Sequence, residues 1–147
     1  MTVCLDTSVL VPALASALPR HGRAARHLEK AARGEISLVV SAHALAECFA
    51  SLTALPVSPQ VTPGQARRLI QENLVECTQE VIPLQASDYR SALARMADLG
   101  LRSGAIYDLL HVISAERAEA DELRTFNGRD FRRMPPGGPT ELVVLPS

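Results

Sequence analysis

The chain has 147 residues, of which 47% are hydrophobic and 21% are charged, and its formal net charge is −1. This composition can build a hydrophobic core and excludes a disordered or fibrous protein, and the length favours a single domain over residues 1–147. No uncharged apolar run reaches about 18 residues, which argues against a membrane-spanning segment.

The start of the chain and its cysteines indicate a cellular compartment. Residues 3–18 are rich in apolar side chains, but no Lys or Arg precedes Arg20, and Asp6 interrupts the run. A secretory signal has a basic first region, so we interpret this segment as mature structure. The chain has three cysteines, Cys4, Cys48 and Cys77. Their odd number and wide spacing match no zinc motif, so we expect small buried thiols in a reducing cytoplasm.

Apolar runs alternate with helical patterns along the chain. The sequence predicts strands at residues 2–5, 36–40, 80–84, 123–126 and 142–145. It predicts helices at residues 8–18, 20–33, 42–55, 64–75, 87–99 and 105–120, and a turn at 127–131. Apolar strands separated by helices are typical of a parallel sheet covered on both faces. We therefore predict an α/β fold, a three-layer sandwich around a mostly parallel sheet of four to five strands.

One carboxylate directly follows the first predicted strand. Ligands of such sheets bind at the carboxyl ends of the strands, and Asp6 lies at that end, followed by Thr7 and Ser8. Two interpretations are open. Asp6 either caps the helix that follows it or binds a cation at the edge of the sheet.

Two further carboxylates lie on helices that are otherwise apolar. Glu47 is surrounded in sequence by Ala, Leu, Cys and Phe, so it is either half of a buried ion pair, for example with an Arg, or a ligand in a polar notch. Asp108 lies between Tyr107 and Leu109, and no Arg or Lys stands three or four positions away. His111, three positions further on, either orients this carboxylate or is an ordinary core histidine.

Gathering these acids at one sheet edge would require a cation. Two like charges about 4 Å apart repel by about 4 kcal/mol at an effective dielectric of about 20. Oxygen ligands without His or Cys favour Mg²⁺ or Mn²⁺ over zinc. The net charge of −1 includes the four acids Asp6, Glu47, Asp108 and Asp130, so the remainder carries +3. An acidic pocket in a mildly basic surface suits an anionic polymer bound near metal ions.

Four segments carry a resemblance to a known family. They are residues 3–10 with Asp6-Thr7-Ser8, residues 40–47 with Ser41 and Glu47, residues 104–118 with Asp108, and residues 123–131 with Asn127 and Asp130. In this order they resemble the PIN-domain nucleases, in particular the VapC-type toxins of toxin–antitoxin pairs. The fourth segment departs from the family pattern, because the family often has Asp where this chain has Asn127.

The resemblance implies a metal-dependent endoribonuclease toxin that hydrolyses RNA phosphodiester bonds. Its Mg²⁺ or Mn²⁺ ligands would be Asp6, Glu47 and Asp108. Asp130 is a fourth catalytic candidate, with a turn residue or helix cap as the other interpretation. Hydrogen-bond support for these acids would come from Thr7, Ser8 and Asn127. The candidate RNA contacts are Arg102, Arg129, Arg132 and Arg133, for which solvated surface is the other interpretation.

The resemblance also implies partners. A cognate antitoxin would neutralise the toxin in the cytoplasm, and relatives commonly form homodimers, for which residues 20–33 and 64–75 offer candidate contacts. A catalytically inactive PIN-like binding or assembly module is the main alternative, because Asn127 replaces an acid. A haloacid-dehalogenase-like phosphatase is disfavoured, since that class has Asp-x-Asp and Ser8 stands at the second acidic position.

Overall fold

A five-stranded sheet forms the centre of the computed structural model, which describes residues 1–147. The strands are β1 (Thr2–Leu5), β2 (Ser37–Ser41), β3 (Thr78–Ile82), β4 (Glu122–Thr125) and β5 (Glu141–Val144). They lie in the order β3-β2-β1-β4-β5, and every neighbouring pair is parallel. The predicted α/β class is therefore confirmed, with five strands and an entirely parallel sheet.

Seven α-helices connect or flank the strands. They are α1 (Thr7–Leu14), α2 (His21–Ala32), α3 (Ala42–Ala54), α4 (Pro63–Leu69), α5 (Ala86–Leu99), α6 (Ala105–Arg117) and α7 (Gly128–Phe131). A π-helical segment (Ile70–Leu74) and a 3-10 turn (Val75–Cys77) continue α4. The segment predicted as a turn at 127–131 is the short helix α7.

Local signals explain several of these boundaries. The Ser41 hydroxyl accepts a hydrogen bond from the His43 amide at 3.1 Å and so begins α3. Gly100 ends α5 with a φ of 67°, a left-handed conformation that glycine adopts without a steric penalty. Helix α1 ends earlier than predicted, at Leu14, because Ala15 adopts an extended conformation with a φ of −111° and a ψ of 98°.

The side chains of β1 divide the core into two clusters. Val3 and Leu5 point to the face covered by α1, α2, α3 and the α4 segment, whereas Cys4 points to the face covered by α5, α6 and α7. Successive strand residues point to opposite faces, so this alternation places helices on both sides of the sheet. The result is the predicted three-layer arrangement.

All three cysteines are free thiols. Burial raises the pKa of Cys4 and of Cys48 to about 12, so both remain protonated and unreactive near neutral pH. Cys77 is half-buried. None of the helices combines the length and the apolar character needed to cross a membrane.

Candidate active site

The order of the strands creates a switch point between β1 and β4. The chain leaves β1 toward β2 on one side of the sheet and leaves β4 toward β5 on the other. Parallel sheets bind ligands in the crevice that opens at such a point, beyond the carboxyl ends of the strands. Asp6 follows β1 and Asn127 follows β4 closely, so the fold brings together two residues that are distant in sequence.

The Ser8 hydroxyl holds the ends of β1 and β4 together. It donates to Asp6 Oδ1 at 2.7 Å and accepts from the Phe126 amide at 2.9 Å. Its oxygen also lies 3.1 Å from Thr125 Oγ1, and because Ser8 gives its only proton to Asp6, Thr125 donates in that contact. Ser8 therefore fixes the orientation of the Asp6 carboxylate.

Asp6 is buried with only 2% of its surface exposed. It occupies the position before α1, but its side chain makes no capping bond to that helix. Burial raises the pKa of Asp6, and the nearby His111 and the Ser8 hydroxyl oppose that rise. Of the two interpretations, the structure contradicts capping by the side chain.

Glu47 projects from α3 toward two histidines. Its Oε1 atom lies 3.0 Å from His111 Nε2 and 3.5 Å from His43 Nε2, and its Oε2 atom accepts from the Thr7 hydroxyl at 3.5 Å. The expected Arg partner is absent, and histidines take its place. The His43 ring in turn stacks on Tyr107, with 5.4 Å between ring centroids.

His111 is fully buried beside the acids. Its Nε2 atom is not aligned for a hydrogen bond with Glu47 Oε1, and both of these atoms and His111 Nδ1 have no hydrogen-bond partner. Burial by itself lowers the pKa of His111, but Glu47 together with the charges of Asp6 and Asp108 outweighs it and raises the pKa. His111 is thus a core residue that offsets part of the negative charge of the site.

Asp108 lies in the first turn of α6 and makes no side-chain hydrogen bond or ion pair with the protein. Burial raises its pKa to about 6, and the charges of Asp6, Asp130 and Glu47 add to that rise, while His111 opposes it. The charges of all three other predicted acids therefore act on Asp108, and no Arg or Lys neutralises it.

Asn127 and Asp130 bind each other at the start of α7. Asn127 Nδ2 donates to Asp130 Oδ2 at 2.7 Å, and the Asp130 amide donates to Asn127 Oδ1 at 3.4 Å. Arg133 donates to the remaining Asp130 oxygen at 3.0 Å. Asn127 is the cap of α7, and Asp130 lies within this helix, where its carboxylate is engaged in local contacts.

A cavity of about 720 Å³ opens at the switch point, and we call it the acid cavity. Its polar lining residues are Asp6, Thr7, Ser8, Arg20, Ser51, Asp108 and Asn127. Asn127, rather than Asp130, faces this space. Glu47 does not line this cavity; it lies behind the lining residue Thr7, whose hydroxyl it contacts, and beside the buried His111.

The predicted arginines lie outside the lining of this cavity. Arg102 and Arg129 are exposed, Arg132 lies over Gly128, and Arg133 is paired with Asp130. Arg20 lines the cavity instead, although no motif singled it out. The histidines gave a weak signal in the sequence, since His43 and His111 stand at helical spacing from Glu47 and Asp108.

The donor set suits a hard divalent cation, although the side chains do not form a closed metal cage. No three His, Cys, Asp or Glu side chains are arranged to hold one ion directly. Mg²⁺ usually keeps several waters and binds through one or two carboxylates, so it does not require such a cage. The raised pKa of Asp108 indicates negative charge that His111 offsets only in part and that a cation would neutralise.

Comparisons with known proteins identify the family. The PIN domain family matches residues 3–135, whereas no curated protein matches the chain. A chain of VapBC2 from Rickettsia felis, solved with a promoter DNA fragment, is 21% identical with a TM-score of 0.69, covering 99% of this chain and 100% of that one. VapC20 from Mycobacterium tuberculosis, a toxin that cleaves the sarcin–ricin loop, is 17% identical with a TM-score of 0.70, covering 90% and 95%.

A third solved structure has the same fold. A chain of FitAcB from Neisseria gonorrhoeae is 16% identical with a TM-score of 0.64, covering 96% of each chain. At these identities the solved structures establish a shared architecture and nothing finer. The family match covers most of the chain, and the acid cavity lies where parallel sheets of this order bind ligands. This chain is a member of the PIN domain family.

Proposed function

We propose that this chain is a metal-dependent endoribonuclease, the toxin of a toxin–antitoxin pair. The observation that carries the proposal is the acid cavity, in which Asp6 and Asp108 share one open space at the switch point. Asp108 has no bonded partner there, and burial together with the neighbouring acids raises its pKa to about 6. Clustered, uncompensated carboxylates in a cleft are typical of a functional site rather than a structural one.

Asp6, Glu47 and Asp108 are the residues that would hold Mg²⁺ or Mn²⁺. When bound, such an ion neutralises charge on the scissile phosphate and lowers the pKa of a water molecule. Asp6 and Asp108 line the cavity and supply hard oxygen donors of the type these ions prefer, and Glu47 adds a carboxylate behind Thr7.

The surrounding residues orient these donors. Ser8 fixes Asp6, Thr7 donates to Glu47, and His111 places a positive charge behind the acids when it is protonated. Asn127 joins the cavity wall to α7 by holding Asp130, so we propose that Asp130 acts through the position of Asn127. These contacts prepare the acids for a ligand before it arrives.

The test compares RNA cleavage by the wild type and two variants. With Mg²⁺ or Mn²⁺ we expect the wild type to cleave a structured RNA, and we expect EDTA to abolish cleavage. Asp6→Asn removes a charged ligand but can still accept the Ser8 proton, and it should reduce the rate by about 100-fold or more. Asp98→Asn, at an exposed position on α5, is the control and should leave the rate unchanged. Undiminished cleavage by Asp6→Asn would contradict the proposal.

An antitoxin and a cytoplasmic location are part of the proposal. The VapBC family consists of toxin–antitoxin systems, a VapBC2 chain is among the similar structures, and we extend that arrangement to this chain. Expression of the chain alone should arrest growth, and co-expression of the protein encoded next to it should restore growth. A homodimer is likewise proposed, with α4 as its candidate contact.

A binding module without hydrolytic activity is the second candidate. Asn127 in the cavity wall and the lack of a closed ligand cage favour it. This candidate predicts that the wild type binds RNA or its protein partner equally well with and without metal and cleaves no RNA under any condition tested.

A further inference from the structure

A row of basic side chains leads away from the acid cavity along α2. Arg20 lies directly before the helix, and Arg23, Arg26 and Lys30 follow at intervals of three and four residues, which places them on one face. We call these four residues the basic row. Arg20 lines the acid cavity, whereas the other three line a second cavity of about 210 Å³. From its first to its last member the row extends about 15 Å.

Phe126 connects the two cavities. Its ring lies 4.9 Å from the Arg20 guanidinium carbon, and it also lines the second cavity. The next residue, Asn127, lines the acid cavity. One continuous surface therefore runs from the acids past an aromatic ring to the three cations on α2.

The basic row lacks acidic partners. None of its four cations forms an ion pair, and the side chain of Arg23 donates only to the Pro146 carbonyl, at 3.1 Å. The chain pairs five other arginines with carboxylates, namely Arg33, Arg95, Arg117, Arg124 and Arg133. The basic row is thus a local excess of positive charge that the fold itself does not neutralise.

The pKa of His27, which lies between Arg26 and Lys30 in α2, is affected by the same positive charges. Burial lowers its pKa to about 4, and the charges of Arg124 and Lys30 contribute to that lowering. The ring is therefore neutral near neutral pH, and its Nδ1 atom accepts a hydrogen bond from Arg124 at 3.0 Å. The second cavity is lined by three cations and by no acidic side chain, and this lining suits an anion.

We propose that the basic row and Phe126 bind the sugar–phosphate backbone of an RNA strand beside the bond that the acid cavity cleaves. This inference rests on the proposed endoribonuclease function and adds where the substrate lies. Contacts to successive phosphates position a strand without reading its sequence. Arg20 belongs both to the basic row and to the lining of the acid cavity, so the proposed path of the RNA strand begins at this residue.

The same charge disfavours a second copy of the chain as the occupant. In a two-fold dimer built on α2, the basic row of one protomer would face the basic row of the other, because such interfaces use the same patch on both subunits. Like charges brought together in this way repel. A polyanion is therefore the better partner for this face.

The experiment measures binding of a fluorescein-labelled single-stranded RNA by anisotropy, in EDTA to prevent cleavage, over a range of NaCl concentrations. The test variant is Arg23→Ala/Arg26→Ala/Lys30→Ala. The control variant is Arg90→Ala/Arg95→Ala/Arg117→Ala, which removes the same charge from α5 and α6 on the opposite face of the sheet. We expect the test variant to bind about 10-fold or more weakly, and its salt dependence to flatten by about 2 units of log–log slope. The control should stay within about 2-fold of the wild type.

Equal binding by the two variants overturns the inference and leaves RNA cleavage by the wild type untouched. Absence of RNA binding by the wild type overturns the inference as well. It is also overturned if the test variant binds RNA normally and loses only its binding to the protein encoded by the neighbouring gene. If the wild type cleaves nothing, yet only the test variant loses RNA binding, the proposed hydrolysis fails and the basic row remains an RNA-binding surface.

Discussion

Asp108 and Asp130 lie near the same edge of the sheet but have opposite surroundings. Both oxygens of Asp130 are bonded, one to Asn127 and the other to Arg133. Asp108 makes no bond to the protein, and burial and its acidic neighbours raise its pKa to about 6. One carboxylate stabilises the turn that contains it, whereas the other weakens the folded state. A group that the fold accommodates at a cost is the stronger candidate for chemistry.

The most direct test of the different roles of Asp108 and Asp130 is to neutralise each acid in turn. Asp108→Asn should lower the rate of RNA cleavage by about 100-fold or more, because it removes a charge that faces the cavity. Asp130→Asn should lower it by about 10-fold or less, because its carboxylate supports α7. Both rates are measured as initial cleavage of one RNA with Mn²⁺. A larger loss in Asp130→Asn than in Asp108→Asn would reverse the assignment of the two residues.

The packing of α7 is open to a second test. A Cβ atom at Gly128 would lie 2.7 and 2.9 Å from the two Val144 methyl groups. Val144 is β-branched and belongs to β5, so it has little freedom to move away. Gly128→Ala should therefore lower the free energy of unfolding by about 2 kcal/mol, measured by urea denaturation.

Gly22 provides the matched glycine. It lies in α2, and nothing stands within 4 Å of the Cβ that alanine would add. Gly22→Ala should raise the free energy of unfolding by about 0.5 kcal/mol, since alanine favours helix. Equal effects of the two substitutions would contradict the tight packing of Gly128 in α7 against Val144.

A further expected effect concerns the dependence of stability on pH. The unfolded chain releases the Asp108 proton near the ordinary aspartate pKa of 3.8, whereas the folded protein holds it up to a pKa of about 6. The folded state therefore loses stability as the pH rises between these values. Asp108→Asn should remove this loss and raise the free energy of unfolding near pH 7 by about 1 kcal/mol, after allowance for solvent screening.

The measurement is the free energy of unfolding in urea at about pH 4 and about pH 7. It compares the wild type with Asp108→Asn and Asp130→Asn. Asp130→Asn should show no such gain, because it loses its contact with Arg133. Mn²⁺ should stabilise the wild type near pH 7 and stabilise Asp108→Asn less. A gain in Asp130→Asn equal to that in Asp108→Asn would contradict the difference between the two acids.

The sequence predicted the elements of this fold better than their arrangement. Ser41 and Gly100 carry local signals whose effect depends on a few neighbouring atoms, so the start of α3 and the end of α5 followed from the sequence. The position of β4 beside β1 depends on contacts between residues more than a hundred positions apart. No local pattern encodes that order, and the predicted sheet accordingly had no strand order.

The site shows the same limit. Asp6, Glu47 and Asp108 could be selected because a carboxylate is conspicuous on an apolar element. The partner of Glu47 could not, because His111 comes from a helix on the opposite face of the sheet. Arg20 was missed for a related reason, since only the folded chain brings it to Phe126 and the acid cavity.

The position of β4 beside the central strand β1 has a consequence for synthesis. On the ribosome, β1 emerges first, but its neighbour β4 cannot pair with it until residues 122–125 have left the exit tunnel. Until then Ser8 has no Thr125 or Phe126 to bind, and Asn127 is missing from the cavity wall. The acid cavity is therefore complete only after almost the whole polypeptide has been translated.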